Sequence, residues 1–342
     1  MTEASPAPGR RVPGWLPLIL MVILMFAIGA YAATRSPDFL SSYNLNTLLG
    51  SSGSLPLAFV AMGQTCALMI GGFDVSVGAL MTLIVVVASY TMGGGSSSPV
   101  LLAASFGLVA IGICVGLVNA GLIRKVGLPS IIATLATLSV MHGLSLKLRP
   151  YPGGEISFDV SDVLNKSWGF VPLAFIGAVV LAGLGDLWLY RTASGLTARA
   201  VGLDEDSSRR LGVPSERVSW RAFILASLLA TIGGFFLAAQ VGIGDARVGS
   251  AYALTSIAAA VLGGASLAGG RGSFLGAVVG AVFLSLIIII LPLPNILPGF
   301  LREWSDALPL ISMGGLTLLA LVVYQAPALW ARLQATSAFS RA

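Results

Sequence analysis

The sequence has few charged residues. Asp, Glu, Lys and Arg together make up only 10% of its 342 residues, whereas a soluble domain usually contains about 25%. Apolar residues account for 56% of the chain, and the mean hydropathy is +0.93. Because so few charged side chains cannot cover so much apolar surface in water, the composition excludes a soluble enzyme, a disordered chain and a nucleic-acid-binding protein.

Cysteine and histidine are scarce as well. Cys66 and Cys114 lie inside apolar stretches, and His142 is the only histidine, so the sequence offers neither a disulfide framework nor the ligand spacing of a metal site. No Gly-Lys pair occurs in the chain, which excludes a P-loop for ATP. The apolar stretches hold few ionisable residues, whereas an ion-driven transporter usually needs several. We therefore expect no catalytic residue, metal or cofactor in this chain, and an energy source on another subunit.

The sequence is instead rich in long apolar runs. A membrane-spanning helix needs roughly 20 mostly apolar residues, and about ten such runs predict an all-α, polytopic membrane helix bundle with mostly short loops. The predicted spans are 15–34, 45–70, 75–92, 99–122, 128–147, 169–190, 219–241, 251–268, 273–292 and 305–325. Together they form a transmembrane domain, 15–325, between an N-terminal tail, 1–14, and a C-terminal tail, 326–342. The first span is longer than a signal peptide's apolar core, so we expect it to be retained rather than cleaved.

The positions of Lys and Arg predict the orientation, since short loops rich in them stay in the cytoplasm. With the N-terminus inside and the spans as above, 13 of the 19 Lys and Arg residues lie on the cytoplasmic side. We therefore expect both termini in the cytoplasm and the protein in a bacterial cytoplasmic (inner) membrane. The same distribution explains the net charge of +5 without a nucleic-acid partner.

The longest predicted cytoplasmic loop, 191–218, contains a short helix with clear boundaries. Asp204 can cap it by accepting free backbone N–H groups of the first turn. Acidic residues follow Asp204 and basic residues close the segment, as the helix dipole favours, and Gly212 with Pro214 ends it. The predicted helix, about 204–211, is too short to be stable alone in water. We therefore expect it to dock on a partner; the alternative is a solvated connector.

A polar segment interrupts the apolar sequence after the second span. Gly71 and Gly72 permit a sharp turn, and the carboxylate of Asp74 follows where it can cap the next helix. Since ionisable groups at membrane depth often face a cavity or the bundle interior, two interpretations stay open: Asp74 only caps the helix, or it also lines a transport pathway. A similar Gly-Gly segment, 263–272, suggests an internal duplication.

Uncharged polar residues inside the spans are further candidates for a pathway. Thr134 and Thr137 share one helix face, Asn119 follows a Gly-x-x-x-Gly pattern that permits close helix crossing, and Gln64 and Gln240 either line a path or form hydrogen bonds between helices. The predicted pathway residues are Gln64, Phe73, Asp74, Ser76, Asn119, Thr134, Thr137 and Ser266.

Four stretches, in order along the chain, resemble the permeases of ribose-type (monosaccharide) ABC importers, the transmembrane subunits of binding-protein-dependent sugar transporters. These stretches are GQTCALMIGGFDVSVGALMTL (63–83), GLVNAGLIRKVGLPSIIATLATLSVMHGL (116–144), ASGLTARAVGLDEDSSRRLGVPSERV (193–218) and GSAYALTSIAAAVLGGASLAGGRGSFLGAVVGA (249–281). The resemblance extends over about 45–325.

The resemblance implies a function. In such importers two permease subunits, identical or different, form a dimer around a shared pathway. Cytoplasmic ABC ATPase subunits carry ATP and Mg²⁺, and an extracytoplasmic binding protein delivers the solute, commonly a monosaccharide. The resemblance also implies that 204–212 is a coupling helix that meets the ATPase through Asp204, Glu205, Asp206, Arg209, Arg210 and Gly212.

We therefore expect a non-enzymatic permease subunit, embedded in membrane lipid, that imports a small neutral polar solute. Two alternatives stay open. One is an ABC permease for another solute, such as a branched-chain amino acid or a metal chelate. The other is an ion-coupled secondary transporter that works without an ATPase.

Overall fold

The computed structural model describes residues 16–291 and, beyond them, residues 293, 296, 304, 307, 308, 311, 312, 314 and 315. The predicted tails, 1–14 and 326–342, and most of the predicted span 305–325 lie outside the described residues. The described part is a bundle of α-helices with one small β-hairpin.

The helices follow one another with short connections. They are α1 (Leu16–Arg35), α2 (Ser42–Leu49), α3 (Ser54–Met69), α4 (Val77–Thr91), α5 (Ser98–Arg124), α6 (Ser130–Leu148), α7 (Phe158–Leu164), α8 (Leu173–Arg191), α9 (Ala193–Leu203), α10 (Glu205–Arg210), α11 (Ser215–Val241), α12 (Tyr252–Leu262) and α13 (Phe274–Ile290). A 3₁₀ turn, Pro37–Leu40, joins α1 to α2. Strands β1 (Ser167–Trp168) and β2 (Val171–Pro172) pair antiparallel before α8.

The helical membrane bundle expected from the sequence is confirmed, while its number of spans stays a prediction. Among the described residues, six helical segments are long and apolar enough to cross a membrane, with α2 and α3 together forming one of them. The apolar helices α4, α12 and α13 are shorter. Each of these elements coincides with a predicted span.

The predicted span 251–268 is corrected in its extent. Its helix, α12, ends at Leu262, because the chain turns at Gly263 and at Gly264, whose φ is 96°. At 1.5 Å per residue α12 is about 16 Å long, roughly half of a hydrocarbon core of about 30 Å. This element is therefore a half-length helix.

Helix α3 lies at the centre of the bundle. Every residue of α3 is buried, and the helix packs against α11, α12 and α13. Close crossings depend on glycine: a Cβ at Gly116 of α5 would come within 2.7 Å of the Ile224 Cα on α11. Gly280 of α13 lies just as tightly against the Ala259 carbonyl of α12. The predicted Gly-x-x-x-Gly pattern before Asn119, which ends at Gly116, therefore lies at a helix crossing.

The bundle has two ends with different features. We call one the α10 end; it contains α9, α10 and the turns 70–76 and 263–273. We call the other the loop end; it contains the connections 149–172 and 242–251. At the loop end, Gly153 and Gly244 pair as a short antiparallel bridge, and the guanidinium of Arg149 lies 3.9 Å from the ring centroid of Tyr90.

Candidate functional site

The loop 191–218 folds into two helices at the α10 end. Asp204 caps α10: its carboxylate accepts hydrogen bonds from the Ser207 backbone N–H at 3.0 Å and from the Ser207 hydroxyl at 2.6 Å. These bonds hold the pKa of the Asp204 carboxyl below its usual range. Gly212 adopts a φ of 80° just after the helix. The predicted helix 204–211 is thus confirmed to within a residue at each end.

Helix α9 was not predicted. It begins after Thr192, whose hydroxyl accepts a hydrogen bond from the Gly195 backbone N–H at 3.1 Å, and a cap of this kind is a signal that the sequence does carry. Gly195 and Gly202, however, lower the helix propensity of the segment. Gly202 is needed for packing, because a Cβ there would collide with the Met69 carbonyl and come within 2.6 Å of the Gly270 N.

An ion pair attaches α10 to the bundle. Arg124, the last residue of α5, holds Glu205 through two hydrogen bonds of 2.5 and 3.1 Å and also donates to the Ser219 hydroxyl. Glu205 accepts a further bond of 3.0 Å from Arg209. The Arg124 guanidinium holds the pKa of the Glu205 carboxyl below its usual range. Of the predicted coupling residues, Glu205 therefore points back toward the bundle.

The opposite side of α10 is open to solvent. Asp204, Asp206, Arg209, Arg210 and Gly212 are exposed, and two large apolar residues flank them: Leu203 is 65% exposed and Leu211 is 84% exposed. Five of the six predicted coupling residues are therefore accessible to a partner, although Arg209 also bonds to Glu205. We call these five residues, together with Leu203 and Leu211, the α10 face.

The two Gly-Gly segments meet beneath α9. The Gly270 N–H donates to the Met69 carbonyl at 2.8 Å. Gly71 and Gly269 both lie near the Gly202 carbonyl: a Cβ on Gly71 would be 4.0 Å from its oxygen, and a Cβ on Gly269 would collide with it. The segment containing Ser266 is closed by its backbone bond to Arg271 at 2.9 Å. A movement of α9 would therefore reach α3 and the α12–α13 turn directly.

Asp186, which lies inside α8, was not among the predicted site residues. Its carboxylate accepts hydrogen bonds from the Ser273 hydroxyl at 2.7 Å and from the backbone N–H groups of Phe274 and Leu275 at 2.7 and 3.2 Å. Asp186 thus caps α13 from a neighbouring helix. A lone carboxylate within a predicted span is the signal that could have identified it, because such residues are costly in a membrane without a partner.

Four predicted pathway residues form a single buried chain of hydrogen bonds. The Asp74 carboxylate accepts from the Ser76 backbone N–H at 3.0 Å and from the Ser76 hydroxyl at 2.5 Å. The Asn119 amide donates to Ser76 at 2.9 Å and accepts from Thr137 at 2.7 Å. Asp74 therefore binds Ser76, the residue just before α4, without a hydrogen bond to the first turn of the helix. The chain of bonds joins α4, α5 and α6, and all four side chains are buried.

The remaining candidates occupy different places. Thr134 is buried and accepts from the Val75 backbone N–H at 3.2 Å, and the partly buried Phe73 belongs to the same turn, where its N–H donates to Ser130 at 3.1 Å. Gln64 lies in α3, away from this cluster. It is completely buried, and neither its amide oxygen nor its amide nitrogen has a hydrogen-bond partner among the described residues.

Comparison with known proteins gives a family. The profile of the family described as "Branched-chain amino acid transport system / permease component" matches residues 46–331. The autoinducer 2 import system permease protein LsrC of Shigella flexneri is 31% identical over 311 residues, which cover 90% of this chain and 85% of that protein. LsrC of Enterobacter sp. (strain 638) is 32% identical over 313 residues, with coverages of 90% and 85%. No solved structure matches the chain significantly.

Proposed function

The chain belongs to the family of branched-chain amino acid transport system permease components, and from that premise we propose how it works as an importer subunit. It is a multi-pass membrane permease of a sugar-type ABC importer. In our proposal a separate ATPase subunit binds the α10 face. That ATPase subunit holds ATP and Mg²⁺, and this chain moves solute without catalysing a reaction.

The observation that carries the proposal is the construction of α10. The helix has only six residues and would not persist alone, yet it is capped by Asp204 and attached to α5 through Arg124. Its other side, the α10 face, is exposed and combines charges with Leu203 and Leu211. A short helix that is fixed on one side and open on the other is suited to transmit a partner's movement into the bundle.

The α10 end then faces the cytoplasm and the loop end faces the exterior, where a binding protein delivers the solute. This orientation agrees with the predicted distribution of Lys and Arg and places both termini inside. ATP-driven movement of α9 and α10 shifts the bundle between a conformation open to the exterior and one open to the cytoplasm. A second permease subunit, identical or related, completes the pathway.

The solute that we propose is small, neutral and polar, of monosaccharide size. The relatives above are named for autoinducer 2 import, and the apolar spans contain few ionisable residues, which suits a neutral solute better than an ion. A branched-chain amino acid, which the family's description names, and a metal chelate are the competing solutes.

Charge reversal on the α10 face tests the proposal. In Arg209→Glu with Arg210→Glu, repulsion at the ATPase contact should reduce ATPase binding and ATP-driven uptake at least tenfold, while the protein still inserts and purifies. The matched control is Arg217→Glu with Arg221→Glu, which makes the same charge change at exposed positions of α11 and should retain most uptake.

The assay uses proteoliposomes that contain the permease, its ATPase and its binding protein, with autoinducer 2, D-ribose and L-leucine offered in parallel. Wild-type ATPase binding and uptake in the α10 double variant would refute the coupling role. Uptake driven by an ion gradient in the absence of ATPase would instead support the secondary-transporter alternative.

A further inference from the structure

A cavity with several polar side chains in a mainly apolar wall lies at the loop end, between the ends of α3, α11, α12 and α13. Its volume is about 210 Å³. The polar side chains that line it are Ser52, Gln240, Tyr252, Thr255 and Ser285, and Leu57 of α3 contributes to the apolar part of the wall. Thus no Asp, Glu, Lys or Arg is among the described residues that form this wall.

A row of residues on α3 leads from this cavity into the bundle. Leu57, Ala61, Gln64 and Leu68 follow one another at four- and three-residue spacing and so share one face of the helix. Leu57 meets α12 at the cavity, and Leu68 packs with Ala260 in a buried cluster. Because both ends of the row contact α12, the row faces α12; we call this contact the α3–α12 seam.

Gln64 lies in the middle of the seam, two helical turns or about 10 Å below Leu57. Its side chain is completely buried, and both amide atoms lack a hydrogen-bond partner among the described residues. Buried polar groups are nearly always paired, so an unpaired amide requires an explanation. A shorter apolar residue would fill this position without that cost.

The helix across the seam, α12, is short and rich in small residues. It spans only half of a membrane, and Ser256, Ala259 and Ala260 are all buried. Small side chains let helices lie close together, so a path between α3 and α12 requires α12 to move. The connection that follows α12 lies against α9 through Gly269 and Gly270, which links the seam to the α10 end.

We propose that the cavity binds a neutral, hydroxyl-bearing solute and that the α3–α12 seam opens during transport, so that the Gln64 amide then pairs with the solute. The inference rests on the proposed function, since it needs the loop end to face the exterior. Amide and hydroxyl groups both donate and accept, which suits a sugar-like molecule. A free amino acid would bring an ammonium and a carboxylate to a wall without an opposite charge.

Cysteine labelling from the exterior tests both parts. In a Cys114→Ser background, which removes the exposed native thiol, the variants are Thr255→Cys in the cavity and Gln64→Cys in the seam. Ala67→Cys is the matched control, since Ala67 is equally buried on α3 but packs with Ala120 and Phe223. Each variant is reconstituted with ATPase and binding protein and treated with a small, membrane-impermeant methanethiosulfonate.

We expect Thr255→Cys to be labelled without ATP and to be protected at least threefold by the best-transported solute of the panel. Gln64→Cys should be unreactive at rest and at least tenfold faster during ATP turnover with solute, and Ala67→Cys should stay unreactive. An unreactive Thr255→Cys, or labelling without solute protection, would refute the binding site. A Gln64→Cys that stays unreactive during turnover would refute the opening of the seam.

These failures are distinguishable from failure of the proposed function. Labelling of Thr255→Cys at rest requires neither ATPase nor transport, whereas the charge-reversal experiment on the α10 face measures ATP-driven uptake alone. Normal ATP-driven uptake together with an unreactive cavity would leave the permease function intact and remove only this inference.

Discussion

Removing the charge of Glu205 should weaken the link between α10 and the rest of the bundle. In Glu205→Gln the side chain keeps its size and one acceptor oxygen, but the two-bond ion pair with Arg124, at 2.5 and 3.1 Å, is lost. Because the exposed charges of the α10 face are unchanged, the ATPase should still bind and hydrolyse ATP. The expected result is a lower ratio of solute transported to ATP hydrolysed.

The size of the effect follows from the exposure of the pair. Exposed ion pairs contribute about 0.2–1 kcal/mol, and hydrogen bonds to charged groups about 1.5–3 kcal/mol. The Arg124 side chain is 16% exposed and the Glu205 side chain 33% exposed, so water screens the pair in part. A contribution of about 1 kcal/mol corresponds to a roughly fivefold increase in the detached population of α10.

A double-mutant cycle isolates this contribution. Glu205→Gln, Arg124→Met and the combined variant are compared in proteoliposomes with ATPase and binding protein, and solute uptake per ATP is measured. If the two residues act through each other, the second substitution adds little to the first. Glu216→Gln, which removes an exposed carboxylate on the first turn of α11, is the control and should transport normally.

The dependence on pH gives a second check. Because Arg124 holds the pKa of Glu205 below its usual range, the stabilisation is fully present above the ordinary Glu pKa of about 4.3. It is lost only as the pH falls through the lower pKa of the folded protein. The ratio of wild type to Glu205→Gln should therefore be constant between about pH 6 and about pH 8. Additive single effects, or loss of ATPase binding in Glu205→Gln, would refute the reasoning.

Two further predictions concern single residues inside the bundle. Asp186→Ala removes the acceptor of the Phe274 and Leu275 N–H groups at the start of α13, where the Ser273 hydroxyl still accepts from Gly276. It should lower the free energy of unfolding by about 1–2 kcal/mol, whereas Asp186→Asn, which keeps an acceptor oxygen, should lose less than half of that. Equal losses in thermal unfolding of the purified protein would contradict the capping role. Gln64→Leu removes an unpaired buried amide, whose burial costs about 1–3 kcal/mol, and should raise stability while reducing uptake. A destabilised Gln64→Leu with normal uptake would count against an opening seam.

Features that depend on neighbouring residues in the chain could be predicted from the sequence. The bounds of α10 follow from Asp204, the order of its charges and Gly212, because capping and dipole effects act within one turn of a helix. The face shared by Thr134 and Thr137 follows from helical periodicity, and both residues are buried in α6. The apolar runs identify most of the helices, because the length and composition of a run are also local features of the sequence.

Features that depend on contacts between distant segments could not be predicted. Asp186 caps a helix 88 residues further along the chain, and no local pattern indicates which N-terminus it meets. Gly202 lowers the helix propensity of α9, yet the helix forms because only glycine fits against the Met69 carbonyl. The extent of α12 was overestimated because its apolar residues continue past the point where Gly263 and Gly264 turn the chain.

The buried polar residues of the bundle include a hydrogen-bonded cluster and the unpaired Gln64, and the two differ in what they indicate about a transport pathway. Asp74, Ser76, Asn119 and Thr137 are joined by hydrogen bonds that hold three helices together, and of their polar atoms Asp74 Oδ2 lacks a partner among the described residues, so loss of any one should first affect stability. Gln64 has no such partner among the described residues, so its amide is free to pair with whatever enters the bundle. The Gln64 amide, with no partner on either atom, is therefore a stronger indication of the transport route than the hydrogen-bonded cluster, although both look alike in the sequence.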